Sequence, residues 1–299
     1  MIVSASRRTD IPAFFAEWFI NRVDAGYCNV PSPFNRNQVS RVSLDSDKVD
    51  VIVFWTRHPL PLLSYLDHLD ALGFRYYFQF TILNYPRFLD ARGPSLKISI
   101  QNFRKLATLI GPARVIWRYD PIVLTADTDA RFHQENFRGI AEMLRGYTNC
   151  SVISFVDIYR KNAKRLQLLA ADGLSEITSI GKPSVRYDEM MYGIVDAATS
   201  NGMSIQSCAE SFDLTAYGIH PGKCIDSQYI ADVFGIQVGT AKHKGQRELC
   251  GCVTSKDIGM YHSCRFGCLY CYATNSYDLA SSNSQIHQPI SPSMLGWHE

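Results

Sequence analysis

Short apolar runs rich in β-branched and aromatic residues alternate with amphipathic stretches of helical length along most of this chain. That alternation restricts the fold more than any other feature. Parallel strands need a crossover, and a helix buries its apolar stripe by lying back on the sheet. The strand-like runs are Ile2–Ser6, Val51–Thr56, Arg75–Ile82, Arg114–Tyr119, Ser151–Asp157 and Ser204–Ser207. The first helix is expected over Pro12–Ala25, after Asp10 as N-cap and before Gly26. Leu60–Leu72 stops at Gly73 and Ile98–Ile110 at Gly111. Ala130–Tyr147, Arg160–Ala171 and Val185–Asn201 follow the same pattern.

Six βα units predict an α/β fold, a partial or full parallel β/α barrel of the TIM type, closed by a Cys-rich C-terminal segment. A doubly wound open sheet has the same periodicity. Tyr27–Asp47, around PSPFNRN, is too polar for a buried barrel strand and reads as a hairpin or an extended excursion. The expected organisation is a barrel core over 1–207, an iron–sulfur segment over 208–280, and a surface tail over 281–299 rich in Ser, Gln, His and Pro.

Hydrophobic residues make up 46% of the 299 and charged ones 19%, which suits a sizeable core and argues against disorder. The net charge of +2 neither demands nor excludes nucleic acid. No apolar run is long enough to span a bilayer, and MIVSASRRTD does not read as a signal peptide. A cytoplasmic location is therefore expected. There the nine cysteines serve as metal ligands, catalytic groups or buried thiols rather than disulfides. Cys28 and Cys150 read as small buried residues.

The C-terminal ends of the strands, where parallel β/α folds keep their chemistry, are polar. The first strand runs into Arg7, Arg8 and Asp10, and the second into Arg57 and His58. The third carries Gln79, the fourth Arg118 and Asp120, and the sixth leads to Cys208 and Glu210. Arg8, Asp10, Arg118, Asp120 and Glu210 are the candidate catalytic residues. Arg57 and Gln79 are candidate cofactor contacts. Any one of these can be a simple ion pair, but repetition at one end of successive strands favours a polar pocket. No phosphate-loop, zinc-protease, nucleophile-elbow or dinucleotide signature competes.

Seven of the nine cysteines fall between positions 208 and 271. Cys264, Cys268 and Cys271 stand as C-x3-C-x2-C in CRFGCLYCYA, with Tyr270 before the last. Three thiolates this close converge on one metal centre, and three ligands on a four-iron cluster leave one iron open. Upstream, Cys208, Cys224, Cys250 and Cys252 can complete a second cluster or hold one tetrahedral zinc.

The CRFGCLYCYA run resembles the cluster loop of radical S-adenosylmethionine enzymes, and its aromatic-Cys-Tyr-Ala ending is similar to the spore photoproduct lyase-like branch. The resemblance implies a [4Fe–4S] cluster on Cys264, Cys268 and Cys271, with Tyr270 at the family's aromatic position. It also implies a β/α barrel and a bound S-adenosylmethionine cleaved reductively to a deoxyadenosyl radical. A reductant such as a ferredoxin or flavodoxin would then be a partner. In that family the loop follows the first strand. Here it lies at 264, and no Gly-Gly-Glu run follows the second strand, so the chain reads as circularly permuted. From SASRRTDIPAF through VFWTRHP and VIWRYDPI to the final cysteines, the chain also resembles an uncharacterised family of unknown function.

Three function classes remain open. One is a radical enzyme acting on a substrate at the barrel mouth. Another is a barrel with structural zinc or iron–sulfur and ordinary polar catalysis. The last is a redox or nucleic-acid-binding module, for which no aromatic–basic array is evident.

Overall fold

The computed structural model of the protein describes residues 1–35, 37–171 and 185–298. Its centre is a parallel sheet of eight strands. They are β1 (Ile2–Ala5), β4 (Val51–Thr56), β5 (Tyr76–Thr81), β6 (Val115–Ile122), β7 (Cys150–Phe155), β8 (Ser204–Ser207), β9 (His220–Pro221) and β10 (Lys256–Asp257). The order is β10-β1-β4-β5-β6-β7-β8-β9, and every neighbouring pair is parallel. From β1 to β9 the order follows the chain without reversal. A doubly wound sheet reverses at a switch point. β2 (Tyr27–Pro31) and β3 (Val39–Ser43) form the separate antiparallel hairpin that the polar excursion predicts.

Side chains alternate across these strands, and both faces are buried, which is why the runs read as nearly continuous hydrophobic stretches. Phe54, Tyr76, Phe78, Phe80, Trp117, Tyr119 and Ile153 point to the outer face and share its core with Phe19, Phe103, Phe137 and Ile194 of the helices. Val51, Val53, Tyr77, Ile116 and Val152 point the other way and pack on Cys208, Cys224, Ile225, Ile230, Cys250, Cys252 and Val253. The inner face is thus covered by the chain's own Cys-rich segment.

The helices are α1 (Ile11–Phe14), α2 (Ala16–Asp24), α3 (Leu60–Leu63), α4 (Leu66–Ala71), α5 (Leu96–Ile110), α6 (Ala130–Leu144), α7 (Ala163–Ala171), α8 (Val185–Ser200), α9 (Ser227–Phe234) and α10 (Tyr277–Ser284). Asp129 caps α6 by accepting from the Phe132 N–H at 2.8 Å, and Gly111, at φ 91°, ends α5. The helix expected over Pro12–Ala25 is broken at Phe15, whose φ of −137° is not helical. That expected over Leu60–Leu72 is likewise two short helices.

The expected surface tail over 281–299 is corrected. Ser291, Ser293, Met294 and Leu295 are buried. The Trp18 indole donates to the Ser291 carbonyl at 3.0 Å, the Arg22 guanidinium to Ile290 at 3.0 Å, and the Asn29 amide to His298 at 2.9 Å. Polar composition hid this docking because backbone carbonyls, not side chains, do the accepting. Glu299 lies outside the described residues. The main core also runs across the expected boundary at 207, since Leu214, Ile219, Ile258, Tyr270 and Met294 belong to it.

Candidate metal and cofactor site

β10 positions the three-cysteine loop. Asp257 accepts from the Ser4 and Ser6 hydroxyls at 2.7 and 2.6 Å and from the Arg7 N–H at 2.9 Å, which ties β10 to the end of β1. A Cβ on Gly259 would stand 2.0 Å from the Ser6 hydroxyl, so only glycine lets the chain leave β10 here. The loop then reaches the C-terminal end of β4. The Leu269 N–H donates to Leu89 at 2.8 Å, and Asp90 and Cys268 form an antiparallel bridge.

Arg57, the residue after β4, pairs with Asp90 through both terminal nitrogens, and its Nη1 donates to the Cys268 sulfur at 2.9 Å. Arg165 of α7 clamps the other side, donating to the carbonyls of Leu269 at 2.8 Å, Thr274 at 2.9 Å and Cys271. Asn162 donates to the Tyr270 carbonyl at 3.0 Å. Tyr270 is buried against Tyr85, and its hydroxyl faces the Cys268 thiol. Burial, then the neighbouring Cys271 and Cys268, pushes the Cys264 thiol well up. Burial raises Cys268 to about 12 and also raises Cys271. Raised in this way, all three favour the neutral thiol.

Asp10 caps α1 by accepting from the Ala13 N–H at 3.0 Å, and it accepts from the Arg57 N–H at 2.6 Å. Burial raises its carboxyl to about 7 against those hydrogen bonds.

The other four cysteines meet over the inner face. Cys208 follows β8, Cys224 follows β9, and Cys250 and Cys252 precede β10. The Cys208 and Cys224 sulfurs are 3.2 Å apart. Cys250 and Cys252 stand beside this pair, and Cys224, Cys250 and Cys252 act on one another electrostatically. The Tyr77 hydroxyl and Gln79 amide both donate to the Cys224 carbonyl, at 2.8 and 2.9 Å. Gln79, named from sequence as a cofactor contact, is fully buried and is an internal brace here. Arg118 donates to the Cys224 sulfur at 2.9 Å and to Gln79 at 3.2 Å, and pairs with Asp120.

Arg8 reaches Asp257 at 3.8 Å and the Gly259 carbonyl at 3.3 Å. Glu210 accepts from the Phe155 N–H at 2.9 Å, and burial raises it to about 8. Tyr272 joins the two cysteine groups. Its hydroxyl donates to the Arg7 carbonyl at 2.6 Å, and Cys271, Asp120, Arg7 and Asp257 all act on it electrostatically. Both groups therefore lie toward one end of the sheet.

Asp90, Arg165 and Asp257 were not marked by sequence reasoning, because single polar residues carry no spacing signal, and Tyr272 entered only as the Tyr of the Cys-Tyr-Ala ending. Cys28 is buried, as expected, and burial pushes its thiol up to about 12. Among the described residues, no group of three or more His, Cys, Asp or Glu side chains already converges on one metal position, and no helix is long and apolar enough to cross a membrane.

The chain belongs to the family described as a domain of unknown function, DUF1848, whose model matches residues 2–273. No curated protein and no solved structure matches it.

Proposed function

We propose, for this member of a family of unknown function, an iron–sulfur enzyme of the radical S-adenosylmethionine type. The reading includes a β/α barrel whose cluster-bearing unit, β10 and the loop after it, stands at the C-terminal end of the chain. The strand order supports it, because β10 lies beside β1 at the start of an otherwise chain-ordered parallel sheet.

The observation that carries the proposal is geometric: Cys264, Cys268 and Cys271 stand half-buried on one loop at the end of β4, where Arg57, held by Asp90, donates directly to the Cys268 sulfur. The donor set fits a three-thiolate cluster. When bound, such a cluster supplies one electron to the sulfonium cofactor at its thiolate-free iron.

The chain's own residues do the rest. Arg57 offsets thiolate charge at the Cys268 sulfur and is itself held by Asp90. Arg165 fixes the loop through its carbonyls, so the ligand spacing survives loss of the thiol protons. Phe14 and Phe266, 4.7 Å apart, and Tyr85 with Tyr270 give the loop its apolar packing. Asp10, near 7, holds or releases a proton beside Cys264. Arg8, Asp120, Glu210 and Tyr272 offer polar contacts to a substrate at the same end of the sheet, and a ferredoxin- or flavodoxin-type reductant is the partner this chemistry needs.

Anaerobic purification from iron-replete cells tests the proposal. The protein should be brown, with about four irons per chain bound by this loop. Replacing all three cysteines by serine should remove them. A wild-type protein that binds no iron after reconstitution with iron and sulfide contradicts the reading.

A further inference from the structure

We propose that Cys208, Cys224, Cys250 and Cys252 form a separate tetrathiolate zinc site that staples together the two edges of the sheet. It does not depend on the radical reading.

The four thiols come from three segments that the fold brings together. Cys208 and Cys224 leave the ends of β8 and β9, and Cys250 and Cys252 lead into β10. β9 and β10 are the two edge strands. A metal shared by these thiols links those edges where the strand pairings do not. Cys250-Gly251-Cys252 supplies two ligands from one turn.

The backbone is already braced for the role. Tyr77 and Gln79 hold the Cys224 carbonyl, the Ile153 carbonyl accepts from the Cys208 N–H at 2.9 Å, and the Ile225 N–H donates to the Cys252 sulfur at 3.4 Å. N–H donation to a ligand sulfur is a typical outer contact of a thiolate centre.

Charge supplies the second, independent observation. Both terminal nitrogens of Arg7 are buried without a hydrogen-bond partner. Its guanidinium lies 4.9 Å from the Trp55 ring, and Cys252, Cys224, Asp257 and Cys250 act on it electrostatically. A buried guanidinium with unmet donors is costly. Four thiolates around Zn²⁺ carry a net charge of about −2; Arg7 offsets part of it, and Arg118, itself paired with Asp120, donates to the Cys224 sulfur. The close sulfur contacts favour a single ion over a multi-iron cluster. Zinc–sulfur bonds of about 2.3 Å in a tetrahedron put the sulfurs about 3.8 Å apart, close to the 3.2 Å between Cys208 and Cys224. Zinc binding would replace the thiol protons.

The test uses the full chain with Cys264, Cys268 and Cys271 replaced by serine, so that only the second site remains. Loaded with Co²⁺ under anaerobic conditions, it should bind about one ion with the thiolate charge-transfer and intense visible bands of a tetrahedral four-sulfur site. Zn²⁺ should displace the ion. Adding Cys250→Ser and Cys252→Ser should abolish the bands, and Arg7→Gln should weaken zinc affinity about 10- to 100-fold. In iron-depleted, zinc-supplied cells the wild type should retain about one zinc per chain more than its Cys250→Ser/Cys252→Ser variant, so the test survives misfolding of the triple variant. Absence of a four-thiolate cobalt spectrum and of retained zinc overturns the proposal. So does iron–sulfide absorption that builds in the triple variant and disappears with Cys250→Ser and Cys252→Ser.

Discussion

The two faces of the sheet are built on opposite principles. The outer face is an aromatic core. Phe54 stacks on Phe78 at 4.8 Å, Trp117 lies 4.5 Å from Phe137, and helices cover the whole layer. Its stability comes from apolar area removed from water. The inner face begins as an apolar layer of Val51, Val53, Tyr77, Ile116 and Val152, then gives way to Gln79, Arg118 and four thiols. Stability there depends on charge balance. The outer face needs shape above all, while the inner face also needs correct ionisation across a network of charges, which is the common condition of functional sites.

Adjacent residues of β6 give the most severe test of that contrast, because Trp117 faces outward and Arg118 inward. Trp117→Ala should cost about 3–5 kcal/mol by cavity formation. Arg118→Ala should cost about 3–5 kcal/mol by leaving the buried side of Asp120 uncompensated. Denaturant titrations should separate the two mechanisms. Adding Asp120→Asn should recover a substantial part of the Arg118 loss and none of the Trp117 loss. Equal recovery in both backgrounds breaks the comparison.

The outer face has one titratable weak point. His133 of α6 is fully buried, hydrogen-bonded to the Tyr119 hydroxyl at 2.8 Å and the Val123 carbonyl at 3.1 Å, and burial lowers it from 6.5 to about 4. The unfolded chain takes up this proton first as pH falls. The contribution is therefore complete above about 6.5 and is lost progressively toward 4, to the extent of about 3 kcal/mol. Unfolding free energies measured from about pH 7 to about pH 4 should show this slope in the wild type, and His133→Asn should flatten it. An unchanged slope would mean that the histidine is protonated in the folded protein.

The smallest effect on stability should come with a large effect on the site. A Cβ at Gly93 would lie 2.5 Å from both carboxylate oxygens of Asp90. Gly93→Ala should displace that carboxylate, loosen Arg57 from Cys268, and lower cluster content severalfold, while global stability falls by about 1 kcal/mol or less. Iron content and a melting curve on the same sample measure both. Full iron content would remove Asp90 from the support of the loop.

Much of this contrast was legible in the sequence. Runs such as Tyr76–Thr81 are apolar on both faces, so parallel pairing followed. Gln79 and Arg118 were legible as polar strand-end residues, while the face they share came from the structure. The tight cysteine spacing at 264–271 marked one loop, and PSPFNRN marked the hairpin. β9 and β10, two residues each, are too short for any periodic signal. The support from Asp90 and Arg165 arises from tertiary pairing of single residues. The buried C-terminal strap around Met294 was masked by a polar composition that its backbone contacts make irrelevant.

The central claim is that the loop bearing Cys264, Cys268 and Cys271 supports reductive cleavage of S-adenosylmethionine. Protein reconstituted with iron and sulfide, then given dithionite and S-adenosylmethionine under anaerobic conditions, should release 5′-deoxyadenosine. The variant with serine at all three cysteines should release none. A fully loaded wild-type protein that forms no deoxyadenosine, beside an active radical enzyme as control, would contradict it.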